Sequence, residues 1–88
     1  MRDAYKWYES KQPGLGDEFF SSVEECLLKI QSYPLIAPVA EEQCRRASVH
    51  RFPFEIFYEP TVNEIAIYAV FHSSQNPAKW QKRLPHNR

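Results

Sequence analysis

Apolar residues at the start of the chain recur with the spacing of an α-helix. Ala4, Trp7 and Tyr8 fall on one helical face over residues 2–10. Residues 11–16 contain Pro13 and two glycines, which a helix does not readily carry through its interior. The pattern therefore predicts a first helix that ends near residue 11.

A longer apolar stripe follows and predicts a second helix over residues 17–31. Its apolar positions recur at steps of three and four: Phe20, Val23, Leu27 and Ile30, with Phe19 and Cys26 widening the stripe. Tyr33 and Pro34 end the helix, and residues 35–42 are predicted to be a loop. We expect the two helices to form an antiparallel hairpin whose apolar side covers a sheet.

From residue 43 the pattern changes to that of β-strands. We predict three antiparallel strands over residues 43–51, 54–59 and 64–71, with a strand end or bulge at Phe52 and Pro53. Residues 60–63 are short enough for a hairpin loop. The last strand alternates, with one face formed by Ile65, Ile67, Ala69 and Phe71 and the other by Ala66, Tyr68, Val70 and His72. Both faces are largely apolar, so this strand is predicted to be an inner one.

The end of the chain carries a helix start signal. Asn76 is a candidate N-cap and Pro77 suits the first helical position, which predicts a short helix over residues 78–84. The whole pattern predicts one α+β domain over residues 1–88, in which a three-stranded antiparallel sheet packs against a helical hairpin. The predicted element order is ααβββα.

Charge is divided between the two halves of a chain whose formal net charge is zero. Residues 1–42 carry four Lys or Arg against eight Asp or Glu, whereas residues 43–88 carry seven against three. An anionic partner would meet the sheet and the C-terminus, unless each half only solvates its own surface. Without a leader or a membrane-spanning run, the cytoplasm is expected, with Cys26 and Cys44 as buried thiols.

The residue types present favour cationic chemistry over metal or cofactor chemistry. No close Cys/His spacing, glycine-rich phosphate loop or nucleophile elbow is found, so neither a metal nor a cofactor is expected. What remains is a set of cations on or beside the sheet: Arg45, Arg46, His50, Arg51, His72, Lys79, Lys82 and Arg83. Such a set would suit acid–base cleavage of RNA, or it would be a solvated strand edge.

Several segments in order resemble the RelE/ParE superfamily of bacterial toxins, within the plasmid stabilisation group. They are Ala4…Trp7-Tyr8-Glu9, Pro13-Gly14-Leu15-Gly16…Phe19, Ile30…Tyr33-Pro34, Arg45-Arg46-Ala47…Val49…Arg51-Phe52-Pro53-Phe54, Ile56…Tyr58 and Ala69-Val70-Phe71-His72…Pro77…Trp80…Arg83-Leu84. The resemblance implies the toxin of a type II toxin–antitoxin pair, neutralised by an antitoxin protein. RelE-like members cut mRNA on the ribosome, and ParE-like members inhibit DNA gyrase.

The resemblance also implies roles for particular residues. Arg46 and Arg51 would clamp phosphate and His72 would act as acid or base in any RNA chemistry. Contacts to the target or antitoxin would come from Arg45, Lys79, Trp80, Lys82 and Arg83. Three departures leave open whether the chain is an enzyme or a non-toxic antitoxin-binding module: Glu59 where a cation is expected, the neutral net charge, and a start within the first helix. A strand missing at that start would expose a sheet edge and favour self-association.

Overall fold

The computed structural model describes residues 2–74, which form an α+β fold of two helices and one antiparallel sheet. The helices are α1 (Arg2–Lys11) and α2 (Leu15–Ser32), and the strands are β1 (Val39–Glu41), β2 (Cys44–Ser48), β3 (Phe54–Pro60) and β4 (Ile65–His72). The strand order is β1-β2-β3-β4. Neither of the helices between residues 2 and 74 is long and apolar enough to cross a membrane.

A carboxylate from α1 caps the start of α2. Gly14 adopts a left-handed conformation, with φ of 88°, and has no side chain to cap the helix itself. Instead, the Glu9 carboxylate accepts hydrogen bonds of 2.9 Å from the backbone N–H groups of Gly14 and Gly16. A Cβ on Gly16 would lie 2.8 Å from Glu9 Oε1, so glycine fits this close approach. The cap lets α2 begin at Leu15, two residues before its predicted start.

The buried face of α2 is rotated slightly from the predicted one. Phe19, Val23, Cys26 and Ile30 are buried against the sheet. Phe20, predicted to lie in the stripe, is 41% exposed and instead packs against Tyr5 of α1, with tilted rings whose centroids are 4.7 Å apart. The helical spacing predicted the apolar face of α2 but not which of its residues are most deeply buried.

The main core lies between the helices and β3. Ile56 and Tyr58 are fully buried there, and the Tyr58 hydroxyl donates a 2.7 Å hydrogen bond to the carbonyl of Pro34. This bond fixes the segment that follows α2 to the centre of the sheet. An aromatic cluster closes the other end of the core, formed by Tyr8, Phe19, Phe52 and Phe54.

The prediction of a three-stranded sheet was wrong, because a fourth strand lies in the segment predicted to be a loop. β1 pairs with β2 through Val39 opposite Arg45 and Glu41 opposite Cys44. It is only three residues long and follows Pro38, so it lacks the alternation that would have revealed it. The short helix predicted over residues 78–84 lies outside the described residues.

The prediction that the last strand is an inner one was also wrong. β2 and β3 are the inner strands, and β4 ends the strand order among residues 2–74. The ladder shifts so that Phe57 pairs with Ala69 but Tyr58 pairs with Ile67, which leaves Tyr68 as the extra residue of a bulge. The bulge reverses the alternation. As a result, the helix side of β4 presents Ile65, Ile67, Val70 and His72, while Phe71 lies on the opposite side.

Candidate functional site

Arg46 lies on the sheet face opposite the helices and is paired with a carboxylate. Its Nε is 2.6 Å from Oε1 of Glu55, and its guanidinium lies 5.4 Å from the centre of the Phe71 ring. Both contacting atoms are shielded from solvent, and among the described residues neither has a further hydrogen-bond partner. Much of the Arg46 charge is therefore balanced within the protein.

Arg51 lies in the turn between β2 and β3, with a positive φ of 74°. It is not on a strand, contrary to the prediction that it hangs on the sheet. With His50 it lines a cleft against the first half of α2, and the opposite wall carries Asp17, Glu18 and Glu25. Three carboxylates around this cleft lower the local potential, which disfavours the binding of a phosphate there.

His72, at the end of β4, lies in an apolar groove. Its Nδ1 accepts a 3.1 Å hydrogen bond from the backbone N–H of Ser74 and is 2.7 Å from Ser74 Oγ. Nδ1 is the acceptor in the contact with the Ser74 backbone, because a backbone N–H can only donate. The groove has a volume of about 560 Å³ and is lined by Ala4, Trp7, Tyr8, Pro53, Phe54 and His72.

The three residues predicted to be catalytic are not gathered into one pocket. Arg46, Arg51 and His72 line three different cavities. Acid–base cleavage of RNA needs its acid, base and cations around one phosphate, within hydrogen-bond reach of the reacting atoms. The described residues do not supply that arrangement.

Arg45 is directed at the protein's own backbone, on the helix side of the sheet. Its Nη1 donates a 2.6 Å hydrogen bond to the carbonyl of Ala37 and a 3.3 Å bond to that of Leu35. It therefore holds the segment between α2 and β1 in place, a role that sequence reasoning did not assign to it. The other predicted contact residues, Lys79, Trp80, Lys82 and Arg83, lie outside the described residues.

Glu59, which stands where the resemblance leads one to expect a cation, is hydrogen-bonded to a phenol. The Tyr68 hydroxyl donates a 2.8 Å hydrogen bond to Glu59 Oε1. This bond, followed by burial, raises the pKa of Tyr68 to about 12. Burial, and then the charge of Glu59, raise the pKa of the Cys44 thiol to about 11. Glu59 thus holds the Tyr68 hydroxyl in its protonated form.

Exposed apolar side chains are concentrated at the end of α2 and in the segment that leads to β1. The 28–39 surface, as we name it, consists of Leu28 (57% exposed), Tyr33 (65%), Leu35 (67%), Ile36 (56%) and Val39 (54%). The sequence predicts only a loop there, because a segment without periodicity does not show which of its side chains are exposed. The signal was present, since residues 33–39 contain no charged residue.

An incompletely paired strand edge adjoins this surface. The backbone N–H of Arg46 donates a 3.2 Å hydrogen bond to the carbonyl of Pro38. Proline has no N–H to return to Arg46, so pairing at the outer edge of β2 stops there. Beside this edge lies a cleft of about 330 Å³, whose walls include Ile30, Ile36, Ala47 and Ser48. The edge and the cleft together suit an extended peptide that carries apolar side chains.

Comparisons with known proteins leave the function to be argued from these surfaces. No protein-family model, no curated protein and no solved structure matches the chain. Within residues 2–74, no three His, Cys, Asp or Glu side chains are grouped so as to hold a metal ion. Among residues 2–74, the features that could support a function are therefore an apolar surface beside a strand edge and three cationic residues that line separate cavities.

Proposed function

We propose that this chain is the toxin component of a bacterial type II toxin–antitoxin pair, RelE/ParE-like, and that it acts by binding protein rather than by cutting RNA. The 28–39 surface is the observation that carries the proposal. The resemblance in sequence supports the toxin class, and a helical hairpin on an antiparallel sheet is the architecture that the resemblance implies.

The exposure of the 28–39 surface favours a protein partner. Monomeric proteins seldom expose contiguous apolar patches larger than a few hundred Å², and larger patches often mark sites that bind other proteins. Covering a leucine or isoleucine completely contributes roughly 1.5–3 kcal/mol, and these side chains are more than half exposed. In this proposal the antitoxin covers them with an apolar segment that also pairs with the outer edge of β2.

The alternative is a ribosome-dependent mRNA endonuclease that uses Arg46, Arg51 and His72. The pairing of Arg46 with Glu55 and the acids around Arg51 weigh against it. A further alternative is a non-toxic module that only binds an antitoxin. If the chain is toxic through binding a protein, the resemblance implies that this protein is DNA gyrase.

Induced expression of the chain in bacteria distinguishes the three proposed functions. We expect growth arrest from the chain itself and from His72→Ala, accompanied by a DNA-damage response rather than by translation arrest. Loss of arrest in a folded His72→Ala variant would favour the endonuclease instead. Normal growth on expression of the folded chain would favour the non-toxic module.

Antitoxin binding is tested with the product of a small acidic reading frame next to the gene. Leu35→Asp combined with Ile36→Asp should prevent the antitoxin from co-purifying with the chain and from rescuing growth. The double variant should still arrest growth. Val62→Asp is the matched control, because Val62 is 98% exposed in the β3–β4 turn and does not belong to the 28–39 surface. Equal binding by both variants would show that the 28–39 surface is not the antitoxin site.

A further inference from the structure

The outer edge of β4 is the longest stretch of strand without a paired neighbour among the described residues. β4 has eight residues, and within residues 2–74 the one strand that it pairs with is β3. Edge strands of this length are normally protected by a charge, a proline or a covering element, since their free backbone groups can pair with another chain. From Ile65 to Phe71, β4 has neither a charged residue nor a proline.

Two hydrogen bonds show which backbone groups of β4 point outward. At one end Glu64 accepts a 2.7 Å bond from Thr61, and at the other Ser73 donates a 2.8 Å bond to Pro53. In an antiparallel ladder every second residue faces the same neighbour. The alternation changes at Tyr68, so the outward-facing residues are Ile65, Ile67, Val70 and His72.

The outward-facing residues of β4 can pair with the same residues in a second copy of the chain. When a second copy runs antiparallel along the edge, Ile67 meets Val70 of the second copy while Ile65 meets His72 of the second copy. The twofold axis falls between Tyr68 and Ala69, so the two bulges lie opposite one another. All four outward residues then find an outward partner, giving about eight backbone hydrogen bonds. A strand of unrelated sequence would lack the matching break in alternation.

We propose that two copies of this chain pair through their β4 edges with twofold symmetry, so that the two four-stranded sheets of residues 2–74 join into one continuous antiparallel sheet. The pairing has no like charges to overcome, because the edge is uncharged and the chain has a formal net charge of zero. It rests on the ladder and the bulge alone and does not depend on the proposed toxin function.

Apolar grooves on the helix side add to the pairing. Residues directly opposite in an antiparallel sheet share a face, so Ile65 of the second copy lies beside His72. There it reaches the groove that Trp7, Tyr8 and Phe54 line. At the other end Ile67, 44% exposed, lines a groove with Leu27 and Ile30 of α2, where Val70 of the second copy covers it.

Sedimentation equilibrium of the purified chain, without any antitoxin, tests the pairing. We expect a dimer at about 10 μM, and Ile67→Lys should weaken it at least tenfold because two ammonium groups would enter the joined edge. Val39→Lys is the matched control: Val39 is 54% exposed on β1, at the opposite edge of the sheet, and its variant should still dimerise. A monomer at 100 μM, or dissociation by Val39→Lys alone, would overturn the proposal.

Cysteine cross-linking tests the register and remains informative if Ile67→Lys does not fold. After oxidation by diamide, Ile67→Cys mixed with Val70→Cys should give a disulfide-linked heterodimer, and each variant alone should give little. Cross-linking of either variant with itself as readily as in the mixture would refute this register. An absence of cross-links in a folded mixture would refute the edge pairing itself.

Discussion

The phenol of Tyr68 and the carboxylate of Glu59 form a 2.8 Å hydrogen bond although they are not opposite one another in the ladder. Glu59 pairs with Ala66, and Tyr68 is the extra residue of the bulge in β4. The bulge thus turns Tyr68 towards the acid. Because the protonated phenol donates this hydrogen bond, and because burial and then the charge of Glu59 also disfavour its ionised form, the pKa of Tyr68 rises to about 12.

Stability should depend on Tyr68 at high pH. A tyrosine ionises near pH 10 in the unfolded chain, whereas the folded pKa is about 12. The contribution of Tyr68 is therefore present below pH 10 and is lost as the pH rises through 12. Between pH 9 and 12, the free energy of unfolding measured in urea should fall more steeply with pH in the natural chain than in Tyr68→Phe. Tyr33→Phe, at an exposed tyrosine, should behave like the natural chain, and equal slopes for all three would contradict this.

Arg46 and Glu55 should show energetic coupling in a double-mutant cycle. Arg46→Met leaves the carboxylate without its cation, and Glu55→Gln leaves the guanidinium without its anion. The pair is partly exposed, so we expect a coupling of about 1 kcal/mol from urea unfolding of the single and double variants. A coupling near zero would mean that Arg46 is free to bind an anion, which would strengthen the case for the endonuclease.

The elements with strong periodicity could be predicted from the sequence, and the errors have local physical causes. Both helices and the strands now numbered β2 to β4 lie close to the predicted ranges, because their apolar positions repeat over several turns or residue pairs. β1 was missed because three residues cannot show a period. The faces of β4 were mixed because a bulge is visible only in the partner strand: the break at Tyr68 depends on what Phe57 and Tyr58 pair with.

Candidate site residues were harder to predict, because residue type does not reveal a side chain's partner. Arg45 and Arg46 are neighbours in sequence, yet one binds the carbonyl of Ala37 and the other the carboxylate of Glu55. Alternation along β2 sends them to opposite faces of the sheet. A cluster of cations in the sequence therefore became separate contacts in the fold.

The two cysteines should differ in reactivity towards iodoacetamide. Cys44 has no exposed surface, and burial raises its pKa to about 11, so little thiolate is available at pH 8. Cys26 is 9% exposed and lines the cleft beside β2. Mass spectrometry should find Cys26 alkylated at least tenfold faster in the folded chain, with similar rates in urea. Faster labelling of Cys44 would show that β4 or β1 opens readily.

Removal of the Glu9 carboxylate should destabilise α2, although Glu9 itself belongs to α1. Glu9 accepts hydrogen bonds from two of the backbone N–H groups at the start of α2, where the helix dipole also favours negative charge. Loss of a helix N-cap costs about 1 kcal/mol, and a carboxylate serving two donors should exceed this, at roughly 1–2 kcal/mol for Glu9→Ala. Thermal and urea unfolding measure the loss.

Glu24→Ala provides the control for this prediction, since Glu24 is exposed in the middle of α2 and away from its start. That variant should change the free energy of unfolding by less than about 0.5 kcal/mol. Gly16→Ala should also be destabilising, because its Cβ would lie 2.8 Å from Glu9 Oε1 and 2.9 Å from the carbonyl oxygen of Tyr5. In the Glu9→Ala background, Gly16→Ala should reduce the free energy of unfolding by less than it does in the natural chain. The reduction should not vanish, because the clash with the Tyr5 backbone remains. Full additivity of the two losses would show that Glu9 does not hold this turn.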